Sequence, residues 1–347
     1  MTDQIEISHA TLKDVAREAG VSIATVDRVL HGRPGVRKGT VQRVEETIER
    51  LGFRPHAAAA ELARGKSYRF CFVMPKSLNA FMSEIQETVL KERAWLTARR
   101  TLVEIVETDV FDPIAITQTL EEVGTRYDGI AVVALDHPRV RAAIDDLAAS
   151  GVNVVTLVSD VPSSHRARYI GIDNIAAGRT AGSLIGRFIG GRKGKVAVIA
   201  GSLALSDHTD RFIGISRVIA SDFPDLELML PVEGRDDDAT NQALTTRLLN
   251  EVPDLIGIYN IGAGTSGVAA ALAETGKAGQ VVFVGHDLTT HTRRFLLTGI
   301  MDAVISQNPG REARSALRIL QALARKEPIS AAQETIGIDI VIRENLP

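Results

Sequence analysis

The sequence predicts an α/β protein in which a three-helix, helix-turn-helix head and a short connecting segment precede two doubly wound, parallel-sheet lobes. Three observations carry this. Apolar residues recur at helical spacing through the first 51 residues and are interrupted by tight turns. From Tyr68 onward, apolar strand-like runs alternate with helical patterns, the signature of βα units that cover a parallel sheet on both faces. Charge divides unevenly: residues 1–66 hold 11 Lys+Arg and 9 Asp+Glu, net +2, and the other 281 hold 29 and 34, net -5. The chain total of -3 argues against a nucleic-acid binder, but it averages two unlike parts.

Composition narrows the class further. At 347 residues, 45% hydrophobic and 24% charged, the chain is globular and long enough for two to three domains. The single cysteine, Cys71, excludes an internal disulfide framework and a cysteine-based zinc site within one chain. The N-terminus lacks the basic start and apolar run of a signal peptide, and the longest apolar run is well short of a membrane span. A cytoplasmic protein with no membrane partner is expected.

The head follows in order. Thr11 caps a helix, and Asp14 returns the hydrogen bond in a variant of the capping box. Leu12, Val15, Ala16 and Ala19 form its apolar face, and Gly20 suits a left-handed stop. Ser22 caps a second helix over 23–30, with Val26, Val29 and Leu30 inward. Gly32 to Gly35 form a loop, and Thr40 opens a third helix to about Leu51. The turn leaves Ser22, Ile23, Ala24, Thr25 and Arg28 on the outer side of the second helix. These are hydroxyls suited to phosphate, two base-facing positions and a cation able to fork onto guanine. From Arg28 to Val44 there are five Arg or Lys, and no acid.

The stretch LKDVAREAGVSIATVDRVLHGRPGVRKGT, followed by RVEETIERLGFRP, resembles the DNA-binding head of the LacI/GalR repressor family. The resemblance implies that Ile23 and Ala24 are the main base-reading pair, that Arg28 adds a base contact, and that Ser22, Thr25 and Thr40 hold phosphates. Asp27 departs from the small hydroxyl usual there. Residues 55–65 begin with proline and end with glycine, as short helices do, yet the segment is too short to be stable alone and reads equally as an Ala-rich linker. The resemblance implies a hinge helix over 55–66 that orders on DNA, with Leu62 wedged between base pairs and Ala59 against the minor-groove floor.

In the body, strands are expected at 69–74, 102–107, 129–135, 152–158, 169–172, 195–200, 226–232, 255–259, 281–285, 302–306 and 336–342. Ligands bind beyond the carboxyl ends of such strands. The residues there include Asn79, Phe81, Met82, Asp109, Phe111, Asp136, His137, Ser159, Asp160, Asp207 to Arg211, Arg235, Asn260, Asp287 and Gln307. Carboxylates, amides and one outstanding cation, Arg211, suit a hydroxyl-rich ligand. Asp112, Asp173, Asp237 and Asp238 serve equally as helix caps.

The motifs IGIDNIAAGRTAG, SDHTDRFIGI, VVFVGHD and AVISQNPGREA resemble the sugar-binding core of LacI-type regulators and of ribose-type periplasmic binding proteins. The resemblance implies that Phe81 stacks on a sugar ring, Arg211 forks onto its oxygens, and Asp287 and Gln307 bind at the far end of the cleft, with Asn260 as an amide ligand. Ser159 and Asp160 stand near the family's Asp-Arg pair, and Met82 replaces a second aromatic. It further implies a head over 1–54, a hinge over 55–66 and an effector and dimerisation domain over 67–347. Lobe one would take about 67–173 and 308–336, and lobe two about 174–307 and 337–347. The expected partners are a double-stranded DNA operator, a small carbohydrate effector and a second copy of the chain.

A rival signal is Gly262-Ala-Gly264-Thr-Ser-Gly267, a GxGxxG run with Asp287 twenty residues beyond. At face value it reads as an NAD(P)-binding redox sensor or dehydrogenase. It lies late in the chain, and Asn260 and Ile261 separate the strand from the glycines. No Ser/His/Asp order or metal-ligand spacing of histidines stands out, so no catalytic residue, metal or cofactor is expected.

Overall fold

A computed structural model describes residues 11–30, 34–51, 67–76, 79–329 and 334–347. The expected hinge over 55–66, with Ala59 and Leu62, lies outside the described residues. The chain divides into two compact units, Met1–Lys66 and Ser67–Pro347.

Among its described residues the first unit has three helices, α1 (Leu12–Ala19), α2 (Ile23–Leu30) and α3 (Lys38–Arg50). Thr11 and Asp14 form the capping box in both directions, and Gly20 ends α1 in the left-handed conformation. Ser22 Oγ accepts from the Thr25 amide at 3.2 Å and so caps α2. Helix α3 starts earlier than its threonine suggested: Arg37 is the N-cap and Thr40 lies in the first turn. Val15, Ala16, Ala19, Val26 and Val44 close a core that a 3.6-residue period places on facing sides.

The second unit holds two sheets. The first lobe is built on β1 (Tyr68–Pro75), α4 (Ala80–Lys91), α5 (Arg93–Ala98), β2 (Thr101–Thr108), α6 (Pro113–Val123), β3 (Gly129–Val132), α7 (Pro138–Ala149), β4 (Asn153–Leu157) and β5 (Arg168–Ile170). Its five strands run parallel in the order β2-β1-β3-β4-β5. The chain crosses at α8 (Asn174–Ile189) to the second lobe. There β6 (Gly194–Ala200), α9 (Ser206–Asp222), β7 (Leu226–Leu228), β8 (Val232–Glu233), α10 (Asp238–Glu251), β9 (Leu255–Asn260), α11 (Thr265–Glu274), β10 (Val282–His286), α12 (Thr290–Thr298) and β11 (Ala303–Ser306) follow. Helix α13 (Pro309–Arg325) packs back on β3, β4 and α4 of the first lobe. The last strand, β12 (Asp339–Val341), joins β11 antiparallel, giving the order β12-β11-β10-β9-β6-β7 with β8 also on β6.

The run expected over 226–232 is two short strands, because Pro231 lies between them and cannot donate to the ladder. Helices α8 and α9 cross at small residues. A Cβ on Gly178 would stand 2.0 Å from the Arg211 carbonyl oxygen, and one on Gly214 would stand 2.3 Å from that of Ile175. Only glycine permits that approach, which fixes the backbone of Arg211.

Candidate functional site

In the head, Ser22, Ile23, Ala24 and Arg28 are exposed, and Thr25 and Thr40 are half-buried. Ile23 is 45% exposed at the start of α2, unusual for an isoleucine with no partner in the head's core. Ser22 and Thr25 share a hydroxyl contact of 2.9 Å. The first turn of α2 thus presents hydroxyls and an apolar side chain to one side.

In the second unit, a cleft of about 440 Å³ opens between the lobes, beyond the carboxyl ends of the strands. That volume falls within the small-ligand range. Phe81, Met82, Ser159, Arg211, Asp287 and Gln307 all line it. The β-strand and helix starts that bring them together come from both lobes, so neither lobe alone makes the site.

Arg211 is the one cation of these six and is 3% exposed. Its Nε donates to Asn174 Oδ1 at 2.9 Å and its Nη1 to the Ile261 carbonyl at 2.8 Å, while Nη2 has no partner. Asp207, one turn earlier on α9, is also buried and leaves Oδ1 without a partner. Asp207 and Asp287 keep the guanidinium protonated despite its burial. Asp287 accepts from Gln307 Nε2 at 3.3 Å. Burial pushes the Asp287 carboxyl up to about 6, and the nearby Arg211 opposes the shift. His286 is held neutral by burial and by Arg211, and its Nε2 meets the Tyr259 hydroxyl at 2.7 Å. Two partly satisfied buried groups of opposite sign in one cleft invite a ligand that both accepts and donates.

Two predicted residues lie behind the wall instead of in it. Asp160 is forked by Arg166 and accepts from Thr156 at 2.6 Å, so its carboxylate serves the first lobe. Asn260 is fully buried, and its Nδ2 donates to the Gly262 and Ala263 carbonyls and Thr265 Oγ1, each at 3.0 Å. It orders the glycine loop. Among the other candidates, His137, Asp112, Asp173 and Asp237 each cap a helix. Sequence reasoning passed over Asp236, which lines the cleft and accepts from the Ala263 amide at 2.9 Å. Its signal was the run of three aspartates, 236–238; Asp236 itself and Arg235 before it adopt left-handed φ of 59° and 54°. Val158 (65°) and Asp287 (64°) do the same, so four cleft residues hold a conformation unfavourable to them.

The GxGxxG run takes another role here. Gly264 precedes α11 with φ of 73°, and the helix entrance is occupied by carboxylates: Asp236 on the Ala263 amide and Asp238 on that of Gly267 at 3.3 Å. A Cβ on Gly262 would meet Asp236 Oδ1 at 2.2 Å, and one on Gly267 the Asp238 carbonyl at 1.8 Å. The glycines admit the 236–238 loop, and its acids hold amides that a dinucleotide's pyrophosphate would need.

Residues 11–56 match the lacI family of bacterial regulatory proteins, and residues 70–328 match the periplasmic binding protein domain. The chain belongs to the periplasmic binding protein domain family. Its head is of the lacI family. Among its relatives, catabolite control protein A of Priestia megaterium is 48% identical over 77 residues, 22% of this chain and 23% of that protein. HTH-type transcriptional regulator pepR1 of Lactobacillus delbrueckii subsp. lactis is 35% identical over 120 residues, 35% of each chain. The alignments thus span only about a quarter to a third of the relatives' length. Of solved structures, the glucose-galactose binding protein GanP from Geobacillus stearothermophilus superposes with a TM-score of 0.74 at 21% identity, over 81% of this chain and 99% of that one. A solute binding protein from Burkholderia graminis C4D1M in complex with D-arabinose gives 0.73 at 24%, over 80% and 96%. At these identities the likeness is one of fold. Among the described residues no helix is long and apolar enough to cross a membrane.

Proposed function

We propose that this protein, with its lacI-family head, is a sequence-specific DNA-binding repressor, controlled by a small sugar or polyol bound between its two lobes. The observation that carries the effector half is Arg211: two arms are fixed by Asn174 and Ile261, and Nη2 is left without a partner in the cleft. A ligand oxygen completes the set, and hydroxyls donate to Asp207 and Asp287. The structural neighbours, a glucose-galactose binding protein and a solute binding protein in complex with D-arabinose, support the same class.

In this reading Ile23, Ala24 and Arg28 face bases and Ser22, Thr25 and Thr40 face phosphates. Leu62 and Ala59 of the hinge enter the minor groove. Two copies of the chain pair through the 67–347 domain and place two heads on a near-palindromic operator in the cytoplasm. Ligand closure changes how the lobes meet across the dimer, which orders or releases the hinges. The reading assigns no catalytic step and no cofactor. It is tested by a thermal-shift screen of sugars and polyols, followed by gel shifts on the operator with and without each hit. A protein stabilised by dinucleotides and by no sugar would overturn it.

A further inference from the structure

The two walls of the cleft differ in kind. Among the described residues, the first lobe contributes mainly hydrocarbon and aromatic surface: Phe81, Met82, Val110, Phe111, Val133 and Val158. The acids of that lobe near the strand ends are engaged elsewhere. Asp160 is held by Arg166, Asp136 by Arg141 at 2.7 Å, and Asp109 accepts from the Phe111 amide at 2.9 Å. Its two polar side chains on the wall are engaged as well. Asn79 Oδ1 accepts from the Met82 amide at 2.9 Å, and Ser159 Oγ lies 3.4 Å from that of Ser206. The second lobe brings the charge, with Asp207, Asp236, Asp237, Asp238 and Asp287 against Arg211 and Arg235, and the Arg235 guanidinium stands 5.1 Å from the Phe111 ring centre and 3.7 Å from Asp109.

Val158 makes the asymmetry more pointed. It is β-branched, yet it sits at φ 65°, where L side chains are strained, and it lines the cleft. Its amide and carbonyl are both engaged, by the Ile170 carbonyl at 2.9 Å and the Tyr169 hydroxyl at 2.9 Å. The fold holds a hydrocarbon side chain where glycine would relax the backbone.

We propose that the effector is an uncharged, amphipathic polyol of the 6-deoxyhexose kind. One edge carries hydroxyls for Arg211, Asp207 and Asp287, and the opposite edge is hydrocarbon set against Val110, Phe111, Val133 and Val158. The proposal deepens the sugar-effector reading and rests on it. A hydroxyl turned to Val110, Val133 and Val158 loses water and meets hydrocarbon there, which weakens binding. A phosphate or carboxylate on the ligand meets five aspartates against two guanidiniums, Arg211 and Arg235.

The test is titration calorimetry on the full chain with matched pairs: D-galactose and D-fucose, L-mannose and L-rhamnose, each beside galactose 6-phosphate. The expected result is that, in the pair that binds, the 6-deoxy member binds about tenfold or more tightly than its parent, and that the phosphate does not bind. A parent that binds as well as its 6-deoxy form, or a phosphate that binds, overturns the proposal. So does binding of other sugars with none from these pairs, while the regulator reading stands. If no sugar or polyol stabilises the protein at all, the underlying reading fails instead. Val133→Thr adds a hydroxyl to the wall at nearly constant volume. It should lower the deoxy preference about threefold, and an unchanged ratio counts against the proposal.

Discussion

Arg211→Lys separates the charge of the guanidinium from its geometry. The wild-type side chain satisfies two fixed acceptors, Asn174 Oδ1 and the Ile261 carbonyl, and presents a third nitrogen to the cleft. Lysine keeps the positive charge that balances Asp207 and Asp287, but a single ammonium on a flexible stem replaces three aligned nitrogens. An acceptor left alone in the interior costs about 1–3 kcal/mol, so one unmet acceptor lowers folding stability by that amount. A lost hydrogen bond between the cation and a ligand oxygen is worth about 1.5–3 kcal/mol, a roughly 10- to 150-fold rise in Kd. The head is a separate unit from the cleft, so operator binding without ligand should change little. Denaturation gives the stability term, calorimetry with the first polyol that stabilises the wild type gives Kd, and a gel shift gives the response. A folded Arg211→Lys variant that releases or tightens DNA at wild-type effector concentration would refute the assignment of Arg211 to the ligand.

Asp287 has a folded pKa of about 6, above its ordinary 3.8, so the stability it contributes at low pH is lost as pH rises through about 6. The stability difference between wild type and Asp287→Asn, measured by urea unfolding from pH 4 to 7.5, should therefore move against the wild type as pH rises; a constant difference would sink the idea. Gly178→Ala puts a methyl into the Arg211 carbonyl and should cost about 1–3 kcal/mol in unfolding free energy, with weaker effector binding; a neutral outcome would show that α8 and α9 have room to part. Leu62→Ala should weaken operator binding with little change in Tm, since the proposed hinge packs against DNA; unchanged gel-shift affinity would remove Leu62 from the interface. NAD(H) should leave Tm unmoved, because Asp236 and Asp238 already hold the amides at the α11 entrance; a clear saturable shift would restore the dinucleotide reading.

Periodicity and strand-end logic carried the sequence reading far. The helix-turn-helix head follows from spacing and caps, since Thr11, Asp14 and Ser22 act through neighbours three residues away. The rule that ligands sit beyond strand ends gave a broad list, the family resemblance narrowed it to eight positions, and six of those eight line the cleft. Asp160 and Asn260 obeyed the same rule and lie behind the wall, because side-chain direction depends on partners distant in sequence or on local loop shape. Arg166 draws Asp160 away, and the 262–265 loop takes the Asn260 amide. Asp236 was illegible for a related reason. Its place in the cleft depends on a left-handed backbone and on the absence of a Cβ at Gly262, a contact 26 residues away.

The path from the cleft to the relation between the lobes is short and stiff. Strand β11 ends at Ser306, Gln307 reaches Asp287, and Asn308 caps α13 through the Arg311 amide at 2.8 Å. The body of α13 then lies against the first-lobe sheet and against α4, whose first turn carries Phe81 and Met82. A ligand that engages Asp287 from the second lobe therefore acts on the end of an element anchored in the first, and the side chains meeting its other face ride on a helix packed against that same element. Glu312, in the first turn of α13, is fully buried with neither oxygen partnered, and burial with Asp287 nearby drives it toward its neutral form while Arg211 opposes this. Close-packed elements of this kind shift between discrete arrangements instead of bending smoothly. In the proposed reading, occupancy of the cleft would favour one placement of α13 over another, and that difference in contact between two states is what control of the DNA-binding head requires.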